Sequence, residues 1–165
     1  MALKILIEED EEDIAAQYQM TLDALGHEVY LTKNGKECII NYDYALSFNN
    51  EKHLPPYDVV VIDYLMPVKD GLTLAKEILE KCPKQRIIIV TGHGPKLLPK
   101  LIDFDGQVEV LNKPISISTL IGRIENKRQK DIAKKMYLAL KKWNKSEIIT
   151  PKKINLDKYQ LWYEN

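Results

Sequence analysis

The sequence predicts an α/β fold, an open doubly wound sheet of five parallel strands with helices on both faces. Three observations predict it. Short β-branched runs alternate along the chain with stretches of helical periodicity. The runs around Val59-Val60-Val61-Ile62 and Ile87-Ile88-Ile89-Val90 are apolar on both faces, as strands covered on both sides must be. Polar residues able to do chemistry recur just after these runs, which is where such sheets carry their sites.

The elements follow in order. Residues 3–7 are a short apolar run bounded by acids, a buried first strand. Residues 13–25 repeat apolar side chains at helical spacing (Ile14, Ala15, Tyr18, Leu22, Leu25) and stop at Gly26, a glycine suited to the position after a helix end. Residues 28–31 are the second strand. Residues 35–48 are a helix with Cys38, Ile39, Tyr42 and Leu46 on one side. Residues 49–56 are polar and contain prolines, so they read as a loop.

Residues 58–62 are the third strand and belong at the centre of the sheet. Residues 72–81 are the third helix, 86–90 the fourth strand, 108–111 the fifth, and a last helix starts over 116–124. Between Thr91 and Val108 the fold needs a fourth helix, yet Gly92, Gly94, Pro95 and Pro99 fall there. Proline inside a helix costs about 3 kcal/mol. A short or broken helix starting near Pro95 is the expectation, since proline is tolerated in a first turn. Strands linked by right-handed crossovers then take the flavodoxin-like order 2-1-3-4-5, with the ligand edge near the switch point between strands one and three.

Composition narrows the function classes. A chain of 165 residues is one domain of ordinary size with room for an appendage. Its 24 basic and 24 acidic residues balance, so net charge points to no partner. Cys38 and Cys82 lack a Cys-x-x-Cys spacing and read as free thiols. His27, His53 and His93 lack ligand-like spacing, against a zinc site. The start reaches Glu8 too soon for a secretory signal, and no apolar run approaches the ~20 residues of a membrane span. The expected location is the cytoplasm.

The chemistry sits in five separated pieces: Glu9-Asp10, Asp63, Met66-Pro67-Val68-Lys69-Asp70-Gly71, Thr91-Gly92 and Lys113-Pro114. Each alone is ordinary; Asp63 reads as a turn residue, and residues 8–13 as a solvated acidic helix start. Together, on one sheet edge, Glu9, Asp10 and Asp63 form a crowded acidic cluster that a hard, oxygen-seeking cation such as Mg2+ would relieve. Asp10, Asp63 and the backbone carbonyl of Leu65 supply ligands for it. A carboxylate is also a nucleophile toward phosphorus. The Lys113 ammonium, the Thr91 hydroxyl and backbone N–H groups would then serve the phosphoryl oxygens.

These pieces resemble the receiver domain of two-component response regulators. The resemblance covers about residues 1–125 and rests on the acidic pair, Asp-x-x-Met-Pro-x-x-Asp-Gly at 63–71, Thr-Gly at 91 and Lys-Pro at 113. It implies that Asp63 is the phosphoacceptor, taking a phosphoryl group from a sensor histidine kinase. It implies Mg2+ held by Asp10 directly and by Glu9 through water, with Thr91 and Lys113 on the phosphoryl oxygens as the switch. The downstream partner is a protein that senses this state or a phosphotransfer protein. The protein is then a regulatory phosphoacceptor of stand-alone type, with only self-phosphotransfer and autodephosphorylation as activities. Four departures are plain: an irregular Pro95–Pro99 segment on the usual signalling face, a longer segment between helix two and strand three, and two single residues. Glu8 stands where receivers carry an apolar residue, either as a third acid near the metal or pointing away from it. Val110 stands where many have an aromatic switch residue. A pseudo-receiver, a binding module with this fold and no phosphoryl cycle, is the alternative.

Residues 126–165 read as an amphipathic helix and an aromatic tail, too short for a complete effector domain. Ile132, Met136, Leu140 and Trp143 form one apolar stripe, opposite a lysine-rich face. Three uses are open to it: packing on the receiver, pairing in a homodimer through helix five and its extension, or contact of the basic face with nucleic acid or an acidic partner. The tail ends with Tyr159, Leu161, Trp162 and Tyr163, a cluster typical of a docking segment.

Overall fold

The computed structural model describes residues 1–49, 54–66, 69–97, 100, 104 and 108–126. Pro67, Val68, Pro99, His53 and residues 127–165, which hold the expected C-terminal helix and tail, lie outside the described residues. The elements are β1 (Lys4–Glu8), α1 (Glu12–Ala24), β2 (Glu28–Thr32), α2 (Gly35–Ser47), β3 (Val59–Asp63), α3 (Gly71–Lys81), β4 (Ile87–Thr91), α4 (Gly94–Leu97), β5 (Val108–Asn112) and α5 (Ile117–Ile124). The five strands are parallel and in the order β2-β1-β3-β4-β5. This is the doubly wound order expected from the alternation of strands and helices.

Period-two alternation divides the strands between two cores. Ile5, Ile7, Val59, Val61, Ile88 and Val90 face α1 and α5, meeting Tyr18, Leu22, Leu120 and Ile121. Leu6, Val60, Ile62, Ile87 and Ile89 face α2 and α3, meeting Tyr42, Leu74, Ala75 and Ile78. Every residue of β3 and β4 is buried, which is why Val59–Ile62 and Ile87–Val90 are apolar throughout. Burying one such aliphatic side chain is worth about 1.5–3 kcal/mol, so the sheet centre holds the fold together.

Local chemistry sets the helix ends. Asn34, Asp70 and Ser116 accept from backbone N–H groups in the first turns of α2, α3 and α5. After α1, Gly26 takes φ +84° and the chain turns back, with His27 N–H on the Leu22 carbonyl. Among the described residues the fourth helix spans Gly94–Leu97, starting beside Pro95 as expected.

The strands differ from the expectation in one systematic way. Each runs one residue further at its carboxyl end, through Glu8, Thr32, Asp63, Thr91 and Asn112. These residues are polar, so an apolar-run criterion stops before them, but the backbone ladder continues, as in the pairs Glu8↔Thr32 and Thr91↔Asn112. Several site residues are thus strand residues, fixed by main-chain pairing.

The opposite, amino-terminal edge of the sheet is closed by polar contacts. His27 Nδ1 accepts from Leu3 N–H, leaving Nε2 to donate to Glu125 Oε1 at 2.6 Å, with both side chains buried. Arg86 donates to the carbonyls of Arg123 and Ile124. Tyr42 donates to buried Gln85, whose amide donates to the Tyr57 carbonyl. The ends of α2 and α5 therefore meet the sheet at the same edge.

Candidate functional site

β1 and β3 are neighbours in the sheet, so the residues after Glu8 lie beside Asp63. Glu9, Asp10 and Asp63 each present a carboxylate oxygen within 4.8 Å of the others. Glu9 and Asp63 are buried and Asp10 is exposed, so the cluster opens to solvent on one side. An all-oxygen, anionic donor set of this size fits a hard divalent cation such as magnesium. The group set excludes soft-metal ligation, because neither cysteine nor histidine belongs to it.

β4 and β5 bring the remaining groups. Lys113 follows β5, and its N–H donates to the Thr91 carbonyl at 2.8 Å. Its Nζ reaches across to Asp63 Oδ2 at 2.5 Å. The Lys113–Pro114 peptide is cis. Thr91 is fully buried, and its Oγ1 accepts from His93 N–H at 2.9 Å, tying the start of the loop after β4 to the strand end. Asp63 Oδ1 accepts from Leu65 N–H, so the turn after β3 folds back on its own carboxylate. Asp63 thus uses one oxygen toward its turn and the other toward lysine.

Gly71 explains part of the turn motif. A Cβ there would lie 2.9 Å from the Asp63 carbonyl oxygen and 3.0 Å from Ile62 Cγ2. Only glycine lets α3 start so close beneath the strand end. Asp70 caps that helix, accepting from the N–H groups of Leu72 and Thr73 and from the Thr73 hydroxyl. At Gly94 a Cβ would meet only the Asn112 side chain, which is exposed and can move aside.

The electrostatics follow from burial. Burial pushes the Glu8 carboxyl up to about 8, partly offset by the Asp63 N–H it accepts, and the charges of Asp63, Glu9 and Asp10 add to the rise. Glu9 is also raised by burial, against the pull of Glu11 N–H and Lys113. Burial works to lower the Lys113 ammonium, but the bond to Asp63 and the nearby Glu9 charge hold it above its usual range. Burial pushes the Tyr18 hydroxyl up to about 12, with the Glu9 charge adding to it.

Two residues carry information the sequence alone did not assign. Glu8 is not part of the acidic cluster; it points to the α2–α3 side, where Oε2 accepts from Asp63 N–H at 3.2 Å. Its position in the β1 alternation, on the same face as Leu6, was the available signal. Tyr18 reads as a core residue of α1, yet it feels the charges of Glu9, Lys113 and Asp63. Val110 packs partly buried against the α2–α3 core, and His93 is exposed.

The comparisons with known proteins agree with this geometry. The family model described as "Response regulator receiver domain" matches residues 5–125. The chain is 26% identical over 122 residues to the response regulator receiver protein CpdR of Brucella abortus (strain 2308), covering 74% of this chain and 93% of that protein. It is similar in structure to a response regulator receiver domain protein from Clostridium thermocellum, with 30% identity, a TM-score of 0.62, and coverage of 76% and 93% of the two chains. It is also similar to the receiver domain of the Francisella response regulator 1452, with 27% identity, a TM-score of 0.58, and coverage of 75% and 94%. With its sheet order, its acidic edge and a family match over most of its length, the chain belongs to the response regulator receiver domain family.

Proposed function

We propose that Asp63 is the phosphoacceptor of this receiver, and that Glu9, Asp10, Asp63 and the Leu65 carbonyl hold Mg2+ beside it. Receivers belong to two-component signalling and act as phosphorylation-based switches rather than as ordinary enzymes. The observation that carries the residue assignment is the 2.5 Å contact of Lys113 Nζ with Asp63 Oδ2 next to the Glu9–Asp10–Asp63 cluster. It joins a nucleophilic carboxylate, a metal-type donor set and a cation for the incoming charge.

The chemistry follows from these groups. An Asp63 carboxylate oxygen attacks the phosphorus of a kinase phosphohistidine. The new P–O bond forms as the P–N bond breaks, and the imidazole leaves with a proton. The metal that Glu9, Asp10, Asp63 and the Leu65 carbonyl would hold would neutralise negative charge developing on the phosphoryl group. Lys113 leaves its ion pair with the carboxylate and stays within reach of one phosphoryl oxygen. The buried Thr91 hydroxyl, already tied to the loop after β4 through His93 N–H, turns toward another. That movement carries the phosphorylated state from the strand end into the start of α4. Val110 offers no aromatic ring for this transmission, so the Thr91–His93 link bears it.

The partners in this reading are a sensor histidine kinase upstream and, downstream, a protein that reads the state or accepts the phosphoryl group. Residues 1–125 form the receiver unit, and 126–165 an appended basic helix and aromatic tail. No helix among the described residues is long and apolar enough to cross a membrane. The assignment of Asp63 is tested by borohydride trapping of the phosphorylated protein, which reduces an aspartyl phosphate to homoserine. Peptide mapping should find homoserine at position 63; homoserine at another acid would reassign the acceptor.

A further inference from the structure

The α2 helix has a second apolar face that the receiver does not use. Cys38, Ile39 and Tyr42 pack inward. Ile40, Tyr44 and Phe48, four residues apart, point the other way and are 56%, 68% and 69% exposed. The Tyr44 and Phe48 rings pack on each other with centroids 4.8 Å apart. Leu54, 46% exposed, is joined to this end of α2 by the bond from Asn49 Nδ2 to its carbonyl. Ile40 and Tyr44 on α2, Phe48 at its cap and Leu54 in the loop tied to that end form a cluster of large exposed apolar side chains, a docking surface rather than scattered exposure.

Three features identify its occupant. The first is where the chain goes. α2 meets the sheet at the amino-terminal edge, through Tyr42 and Gln85. The next residue, Arg86, holds the end of α5, and Glu125 is fixed to His27 at the start of β2. Asn126, the last described residue, therefore lies at the edge where the apolar face of α2 ends, and residues 127–165 follow it in sequence. The second is reach. Trp162 lies 36 residues beyond Asn126, about 54 Å even if wholly helical, against about 20 Å across two packed layers. The third is size. A stable pairing of two chains buries about 800 Å² and 20 or more residues on each side. Four side chains fall well short of that, whereas a tethered segment binds at an effective concentration in the ~mM range and needs little area.

We propose that the aromatic tail, Tyr159, Leu161, Trp162 and Tyr163, docks on the Ile40–Tyr44–Phe48–Leu54 face of α2 in the same molecule. The face is apolar and aromatic, and the tail is a compact set of the same chemistry. The contact lies on α2, away from the β4–α4 end of the site, so it is independent of the phosphoryl chemistry proposed for Asp63.

The two tryptophans of the chain, Trp143 and Trp162, both lie beyond residue 126, which makes emission a direct report on this segment. In full-length Trp143→Phe protein, Trp162 should emit to the blue of a water-exposed indole and resist acrylamide. Adding Tyr44→Glu and Phe48→Glu should shift its emission to the red and remove that protection. These side chains are exposed, so the thermal unfolding of the sheet should persist; Ile40→Lys, one turn earlier, should give the same shift. Light scattering should give a monomer mass throughout. Trp162 emission that ignores all three substitutions, or that is already water-like before them, overturns the proposal. A wild-type dimer that the α2 substitutions split into monomers also overturns it, assigning the face to a second copy.

Discussion

Lys113 Nζ lies 2.5 Å from Asp63 Oδ2, so the lysine at the end of one strand and the aspartate at the end of another form an ion pair across β4. Asp63 is almost wholly enclosed in this pair, while the Lys113 side chain is about a third exposed. Lysine keeps a solvent path and can follow the charge if it moves from carboxylate to phosphoryl oxygen. Replacing Lys113 by Ala should leave Mg2+ affinity within about fivefold of wild type, because a charge with a solvent path is worth about 1 kcal/mol or less to a nearby ion. It should sharply reduce the conformational response to phosphorylation. Calorimetric Mg2+ titration and amide exchange of the β4–α4 loop, with and without a phosphodonor, read the two effects separately. A loop response equal to wild type would mean that lysine has another role.

Asp63→Asn removes one charge from three crowded carboxylates and leaves Lys113 facing Glu9. Metal-free protein carrying it should be as stable as wild type or more stable, by up to about 1 kcal/mol. Its stabilisation by Mg2+ should shrink, since a ligand that binds only the folded state stabilises in proportion to its affinity. Urea unfolding with and without Mg2+ measures both. A clear loss of metal-free stability would contradict the account of repulsion among these acids.

Glu8 gives the metal-free protein a pH dependence with a definite sign. Its folded carboxyl is raised to about 8 from the ordinary 4.5, so the folded chain binds more protons than the unfolded one between those values. Stability is therefore greatest below the unfolded pKa and is lost as pH rises toward 8. The limiting slope for one group is about 1.4 kcal/mol per pH unit. Glu9, raised in the same direction, adds to it. Glu8→Gln keeps an acceptor for Asp63 N–H and removes the titration, so its stability should vary less from pH 5 to 8. Unfolding curves at several pH values, without metal, decide this; equal slopes in the two proteins would show that Glu8 is not the proton-binding group.

Gly71→Ala places a methyl group 2.9 Å from the Asp63 carbonyl oxygen, and the neighbours are strand and turn backbone that cannot yield cheaply. The expected cost is about 1–3 kcal/mol, the range for overpacking. Asp63 should also move relative to Lys113, slowing phosphorylation beyond what the lost stability explains. Thermal unfolding and a phosphorylation time course on the folded variant test this. Wild-type values for both would mean that α3 shifts without strain.

How much of this was legible in the sequence depended on what each residue touches. The runs Val59–Ile62 and Ile87–Val90 are apolar because both faces are covered, which marks the central strands, and the alternation of strands with helices implies the sheet order. Asp63, Thr91 and Lys113 were found because polar residues directly after such runs meet on one edge. The strand ends themselves were missed by one residue, because Glu8, Asp63 and Thr91 are polar but main-chain paired or buried. The orientation of Glu8 follows from alternation with Leu6 only once β1 is known to run through Glu8; a strand ending before it leaves Glu8 reading equally well as a third metal ligand. The His27–Glu125 bond was invisible for another reason: it joins residues 98 apart that no local pattern connects. The exposed stripe on α2 drew no attention because periodicity assigns Cys38, Ile39, Tyr42 and Leu46 to the inward side, and single apolar residues on the other side, such as Ile40, Tyr44 and Phe48, are ordinary until they are seen together.

The most direct test of the central claim is the intact mass of the protein after incubation with a small phosphodonor, with and without Mg2+, beside Asp63→Asn. A Mg2+-dependent gain of one phosphoryl group on the wild type, absent from Asp63→Asn, is the predicted result. An equal gain on Asp63→Asn would contradict the assignment of Asp63 as phosphoacceptor.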